Sequence, residues 1–119
     1  MAILEIRRGD VVLVDLRGAE AGEKQGSRPC VVVQNDKGNS VSPLTIVVPL
    51  TDDEQYKRLP VQVIVTASEL GAGGKNSVAE CGHIRAIDRD ARITKKVTTL
   101  GRDPMARIDA AIKASLGLA

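Results

Sequence analysis

Short runs of Val, Ile and Leu, each cut off by Gly, Pro, Asn or Asp, follow one another along this chain up to Leu100, and they limit it to a fold built of strands. Residues branched at Cβ pack well on a pleated surface, and runs this short leave no room for a helix to bury a stripe. Val11-Val12-Leu13-Val14-Asp15-Leu16 lies between Gly9-Asp10 and Arg17-Gly18, which predicts a first strand followed by a turn. Further strands are predicted over 30–34, 44–50, 60–65, 77–87 and 93–100. Between the second and third, Asn35-Asp36-Lys37-Gly38-Asn39-Ser40 reads as a connection, because Asn, Asp, Gly and Ser all favour turns. Thr66-Ala67-Ser68-Glu69 has the spacing of a capping box and predicts one helical turn, stopped by Gly71.

The end of the chain changes period. Asp103 reads as an N-cap with Pro104 at the first helical position, and Met105, Ile108, Ile112 and Leu116 then recur at helical spacing until Gly117. One face of this helix packs on the sheet. The expected architecture is mainly β within the α+β class: a small antiparallel barrel or strongly curved sheet with a C-terminal helix. Residues 1–119 make a single domain with one core. That core is aliphatic, since Tyr56 is the only aromatic residue. The same shortage excludes nucleic-acid modules that stack several bases on aromatic rings.

A net charge of +2 tolerates a polyanionic partner but is far below that of a protein that coats nucleic acid. Glu5, Arg7 and Arg8 stand where a signal peptide needs an apolar run, and no segment approaches the roughly 18 apolar residues of a membrane span, so a cytoplasmic protein is expected. In that compartment Cys30 and Cys81, both in strand-like apolar contexts, are expected to be buried thiols. With His83 as their sole companion they fall short of a zinc set, and neither a metal nor a cofactor is expected.

Candidate chemistry centres on the stretch from Glu23 to Asp36, where a polar loop ends in Arg28-Pro29 against an apolar strand. The guanidinium of Arg28 is permanently charged and offers a planar fork of donors suited to phosphate, while Pro29 holds its backbone extended. The bland alternative is a solvated charge at a strand end. Thr51, at the end of the third strand, is either a turn cap or a hydroxyl and amide that orient a phosphate. His83 shares its segment with Glu80 and Arg85, although a lone histidine is more often structural than catalytic. Gly71-Ala72-Gly73-Gly74-Lys75-Asn76 lacks the spacing and the terminal hydroxyl of a phosphate loop and reads as a loop. Asp88-Arg89-Asp90-Ala91-Arg92 reads as a solvated turn of alternating charge.

Taken together, Arg8-Gly9-Asp10-Val11-Val12-Leu13-Val14-Asp15-Leu16, Gly22-Glu23, Arg28-Pro29 and Val33-Gln34-Asn35-Asp36 resemble the opening of the MazF/PemK family of toxin–antitoxin ribonucleases. Pro43, Val48-Pro49-Leu50-Thr51, Leu59-Pro60-Val61, Ile84-Arg85-Ala86-Ile87-Asp88 and the closing Ser115-Leu116-Gly117-Leu118 continue it in order. The resemblance implies an SH3-like barrel with a C-terminal helix, shared with CcdB-type toxins. It further implies a homodimer and a metal-independent endoribonuclease that cuts single-stranded RNA, restrained by a MazE-like antitoxin and leaving a 2′,3′-cyclic phosphate and a 5′-hydroxyl. Carried onto this sequence, it makes Arg28, Thr51 and Glu23 catalytic: Arg28 for phosphorane charge and proton donation, Thr51 for the scissile phosphate, Glu23 as base for the 2′-hydroxyl. Lys24, Gln25, Ser27, His83 and Arg85 become RNA-binding residues. Two departures stand out. Gly82 occupies a place where many members carry an acid, with His83 where Gln is usual, so an acid–base role there does not carry over, and either Glu80 or His83 substitutes or the position is dispensable; Lys24-Gln25 shifts the familiar Glu-Gln-Gly-Gly pattern. The competing readings are a non-enzymatic CcdB-like toxin that binds gyrase through its C-terminal helix, and an inactive paralogue that binds antitoxin. The gyrase binder needs no loop arginine facing a strand-end threonine, whereas the inactive paralogue shares these sequence features and differs only in assay.

Overall fold

The structure is a computed structural model that describes residues 4–16, 26–71 and 75–118. Strands β1 (Asp10–Asp15), β2 (Ser27–Val32), β3 (Leu44–Asp52), β4 (Gln62–Val65), β5 (Ser77–Glu80), β6 (Arg85–Asp88) and β7 (Ile93–Thr99) form one antiparallel sheet. Helices α1 (Asp36–Val41) and α2 (Arg89–Arg92) are short, and α3 (Arg102–Leu116) closes the chain. The mainly β, α+β architecture agrees with the sequence. Closure does not. The strands run β4-β5-β3-β2-β1-β7 with β6 beside β3, and among the described residues no ladder joins β4 to β7, so the sheet is curved and open where a barrel was expected.

β3 is the hub of this sheet. One edge pairs with β2 through Cys30–Pro49, Val31–Val48 and Val32–Val47. The other edge pairs first with β6, from Leu44 to Val47, and then with β5, from Leu50 to Asp52. Pro49 lies at the change of partner, where its missing N–H breaks no ladder.

Because side chains alternate along a strand, the sheet has two faces with separate cores. On one face Val11, Val31, Val48, Leu50, Val63, Val65 and Ala79 pack with Leu100, Met105, Ile108 and Ala111 of the α3 region. Ile108 is fully buried, which is worth about 1.5–3 kcal/mol. On the other face Val12, Val14, Cys30, Val32, Val47 and Ile87 gather with Ile6, Leu16 and Ile93. Arg8 fastens α3 to the start of the chain: its guanidinium pairs with Asp109 and its Nε donates to the Val33 carbonyl at 2.9 Å. Gly9 takes φ 97 at the same corner, a left-handed angle that disfavours a side chain.

Several local expectations shift. α3 starts earlier than Asp103: Gly101 is the N-cap, Met105 N–H donates to the Gly101 carbonyl, and Pro104 falls in the first turn, where a helix has no use for an N–H. Its end is as expected, with Gly117 at φ 71 and Leu118 N–H returning to the Lys113 carbonyl at 2.8 Å. The turn-rich connection contains α1, capped by the Asn35 side chain on Gly38 N–H. The expected strand over 77–87 is two strands with a turn between them. The turn expected over Asp88 to Arg92 carries α2, capped by Asp88. The capping box at Thr66 and Glu69 forms in both directions, at 2.9 and 3.2 Å. No helix among the described residues is long and apolar enough to cross a membrane.

Candidate active site

Strand register decides which functional side chains meet. Arg28 pairs with Val14, Cys30 with Pro49, and Val47 with Arg85, so Arg28, Cys30, Pro49, Val47 and Arg85 share one face of the sheet. The β2–β3 ladder ends at Cys30–Pro49, and by alternation Arg28 and Thr51, each two residues beyond it on its own strand, lie on this same face. Thr51 in turn pairs with Val78, and Glu80, two residues along β5, pairs with Gln62. The face therefore passes from an apolar floor into a polar strip that holds Arg28, Thr51, Glu80 and Gln62, with Arg85 beyond Val47.

Burial differs along this strip. Arg28 and Arg85 are half-buried, their stems on the sheet, while Thr51, Glu80 and Gln62 are buried. Thr51 Oγ1 donates to Glu80 Oε2 at 3.4 Å, and Gln62 Nε2 donates to both carboxylate oxygens at 3.1 and 3.3 Å. The Cys30 thiol reports the charges beside it. Burial pushes it up to about 12, against the opposing pull first of Arg85 and then of Arg28. Both guanidiniums thus act on one point of the floor. Two cations on the face that also carries a buried hydroxyl suit an anionic group that must be held and its charge neutralised.

The other sequence candidates are placed unevenly. Ser27 begins β2 opposite Asp15 and is exposed. His83 is exposed in the β5–β6 turn, its N–H on the Glu80 carbonyl at 3.0 Å. Glu23, Lys24 and Gln25 lie outside the described residues. Gly82 has an ordinary backbone angle, and a Cβ there would meet only Val61, at 3.5 Å, so neither backbone nor packing requires glycine. Both cysteines are free, buried thiols. Among the described residues no group of three or more His, Cys, Asp or Glu is arranged to hold a metal ion.

Spacing alone does not bring Gln62 to the site. It is the polar member of an alternating strand, which reads as solvent-facing until the register turns that face inward. Glu80, a glutamate inside the apolar run Val78-Ala79-Glu80-Cys81 and a candidate substitute for the missing acid, is brought beside Thr51.

A family model of PemK-like, MazF-like toxins of type II toxin–antitoxin systems matches residues 7–116. The chain belongs to this family. It is 39% identical over 113 residues to the endoribonuclease MazF of Staphylococcus epidermidis, covering 95% of this chain and 92% of that one. To the endoribonuclease EndoA of Bacillus subtilis (strain 168) it is also 39% identical, with 95% and 96% covered. Among solved structures, MazF from Deinococcus radiodurans superposes with a TM-score of 0.81 at 24% identity, covering 97% of this chain and 99% of that one. A mycobacterial endoribonuclease solved with its cognate antitoxin gives 0.78 at 22% identity, covering 96% and 97%. These last two share the fold.

Proposed function

We propose that this PemK/MazF-family protein is an endoribonuclease toxin that cuts single-stranded RNA without a metal, is neutralised by a cognate MazE-like antitoxin, and works as a homodimer in the cytoplasm. The activity is supported by full-length likeness to two endoribonucleases at 39% identity. The antitoxin is supported by the family's membership of type II systems and by a fold relative solved with one. One observation supports the site: strand alternation puts Arg28, Thr51 and Arg85 on the same face of the sheet.

The chemistry follows from what RNA offers. The 2′-oxygen attacks its own phosphorus, the 2′-O–P bond forms and the P–O5′ bond breaks, leaving a cyclic phosphate and a 5′-hydroxyl. The 2′-hydroxyl must lose its proton and the 5′-oxygen must gain one. Arg28 neutralises the charge that grows on the phosphorane, a contribution of about 100- to 1000-fold for a preorganised donor. It donates to the leaving oxygen only if the transition state draws off a proton, since a guanidinium otherwise keeps its charge. Glu23 takes the proton from the 2′-hydroxyl, and Thr51 orients the scissile nucleotide. Arg85, Lys24, Gln25, Ser27 and His83 hold the strand on either side.

The test is cleavage of a long single-stranded RNA in EDTA, with the ends of each fragment mapped. Cuts bearing cyclic phosphate, lost when the nucleotide at the cut is 2′-deoxy, support the reading, because deoxyribose lacks the nucleophile. Intact RNA would move the protein to a gyrase-binding toxin or an inactive antitoxin binder.

A further inference from the structure

A carboxylate on the inward face of a strand is costly to bury without partners, and Val or Leu would fill the same place at no such cost. Glu80 is 8% exposed and Gln62 9%. Among the described residues the donors on Glu80 are neutral, namely Gln62 Nε2 and Thr51 Oγ1. The amide of Gln62 is fixed from behind: Lys57 N–H donates to its Oε1 at 2.8 Å, and its Nε2 donates to the Gln55 carbonyl at 3.0 Å. That orientation presents N–H to Glu80, so both carboxylate oxygens act as acceptors. A hydroxyl that faces such a group has one productive direction for its proton.

We infer that Glu80, held by Gln62, is a positioning residue for Thr51: it accepts the hydrogen bond that the Thr51 hydroxyl donates, so that a lone pair of Thr51 Oγ1 meets RNA as an acceptor for the 2′-hydroxyl at the cut. This rests on the site reading above and revises two roles in it: a hydroxyl committed to Glu80 has no proton left for the scissile phosphate, and the single 2′-hydroxyl proton rests on Thr51 Oγ1 in the bound state and passes to Glu23 only as the 2′-oxygen attacks. A negative charge behind Thr51 repels a phosphate and makes Oγ1 a stronger, charge-assisted acceptor. It also links the 53–60 loop to the reacting nucleotide, because Gln55 and Lys57 set the amide that sets Glu80.

The test is a double-mutant cycle in EDTA, on a short RNA built around a cut mapped in the longer substrate. Glu80→Gln keeps the shape and removes the charge, Glu80→Leu removes the acceptor, and Thr51→Val removes the hydroxyl. Expected are a kcat about tenfold lower for Glu80→Gln with KM within about twofold, a loss at least as large for Thr51→Val, and no further loss in the double variant, because Glu80 acts only through Thr51. Additive losses, or a wild-type kcat in Glu80→Gln, overturn the inference. So does failure of both Glu80 variants to fold, which would assign the carboxylate to stability. A wild-type kcat in Thr51→Val would instead sink the site reading, so the two failures are told apart.

Discussion

The two faces of the sheet are built from the same strands and do different work. The face under α3 is aliphatic throughout, and its core ends where the helix lays Met105, Ile108 and Ala111 across it. The opposite face starts aliphatic around Val12, Val32 and Val47, then changes to Arg28, Thr51, Glu80 and Gln62 as β3 exchanges β6 for β5. A strand supplies both by alternation, so each residue of β3 belongs to one face and its neighbour to the other. What the contrast teaches is that the site is mounted on a floor whose far side is locked by a helix, and rigid mounting is what holding a reacting phosphate requires.

The comparison breaks most visibly on the helix side. Ile108→Ala should lower stability by about 2–5 kcal/mol, read by denaturant unfolding, while kcat per folded molecule stays near wild type. A fall in kcat of the folded protein as large as the fall in stability would show that the faces are not separable.

The thiols probe both faces at once, since Cys30 lies on the site face and Cys81 in the α3 core, and each is pushed up to about 12 with burial as the leading cause. The folded chain keeps its protons while the thiols of an unfolded one ionise near 9.0, so stability should be level below that pH and fall as pH rises toward 12. Unfolding followed across that window checks the sign. Native protein at pH 8 should resist iodoacetamide at both cysteines, and rapid labelling of Cys30 would show the site floor to be open.

A smaller effect is expected at Glu69, whose carboxylate accepts from Arg107 of α3 at 2.8 and 2.9 Å while Arg107 also donates to the Ile64 carbonyl of β4 at 3.2 Å. The Glu69 carboxyl sits below its usual range because Thr66 N–H donates to it, with Arg107 assisting. Its contribution is therefore present above the ordinary carboxylate pKa and lost as pH falls through the lowered value. Glu69→Ala should cost about 0.5–1 kcal/mol near neutral pH and flatten that part of the acid limb, as read by thermal unfolding.

Smallest of all should be Gly82→Glu. A Cβ there meets only Val61 at ordinary contact distance, so stability should change by less than about 0.5 kcal/mol. If Glu80 and Thr51 already serve the 2′-hydroxyl, kcat should move less than about threefold. A large gain in kcat would mean that the site lacks a carboxylate and would shift acid–base work toward position 82.

How much of this was legible follows the same division. The α3 face was readable because β-branched runs and a helical stripe carry their period in the sequence, and Gly117 and the Thr66–Glu69 box carry their local hydrogen bonding. The start of α3 was not, since Asp103 is a good cap residue and nothing local says that the helix has begun at Arg102. α1 hid in turn residues because its support is tertiary: buried Asn39 accepts from Thr45 Oγ1 at 2.7 Å and from Gln34 Nε2 at 3.1 Å. The break within 77–87 and the open sheet depend on β3 changing partners, a long-range choice that no short window contains. On the site face Arg28 and Thr51 were legible through a permanent cation and a strand-end hydroxyl. Glu80 was legible only as a substitute for the acid absent at Gly82, without its partners, and Gln62 was not legible, because a polar residue in alternation looks solvent-facing until the register is known.

The most direct test compares wild type with Arg28→Ala for cleavage of single-stranded RNA in EDTA, with thermal unfolding measured on the same samples. Arg28 is half-buried on the site face and belongs to neither apolar cluster. The unfolding midpoint should therefore stay within a few degrees while kcat drops by about 100- to 1000-fold. Equal cleavage by the two proteins, at matched folded fraction, would contradict the placement of catalysis on this face.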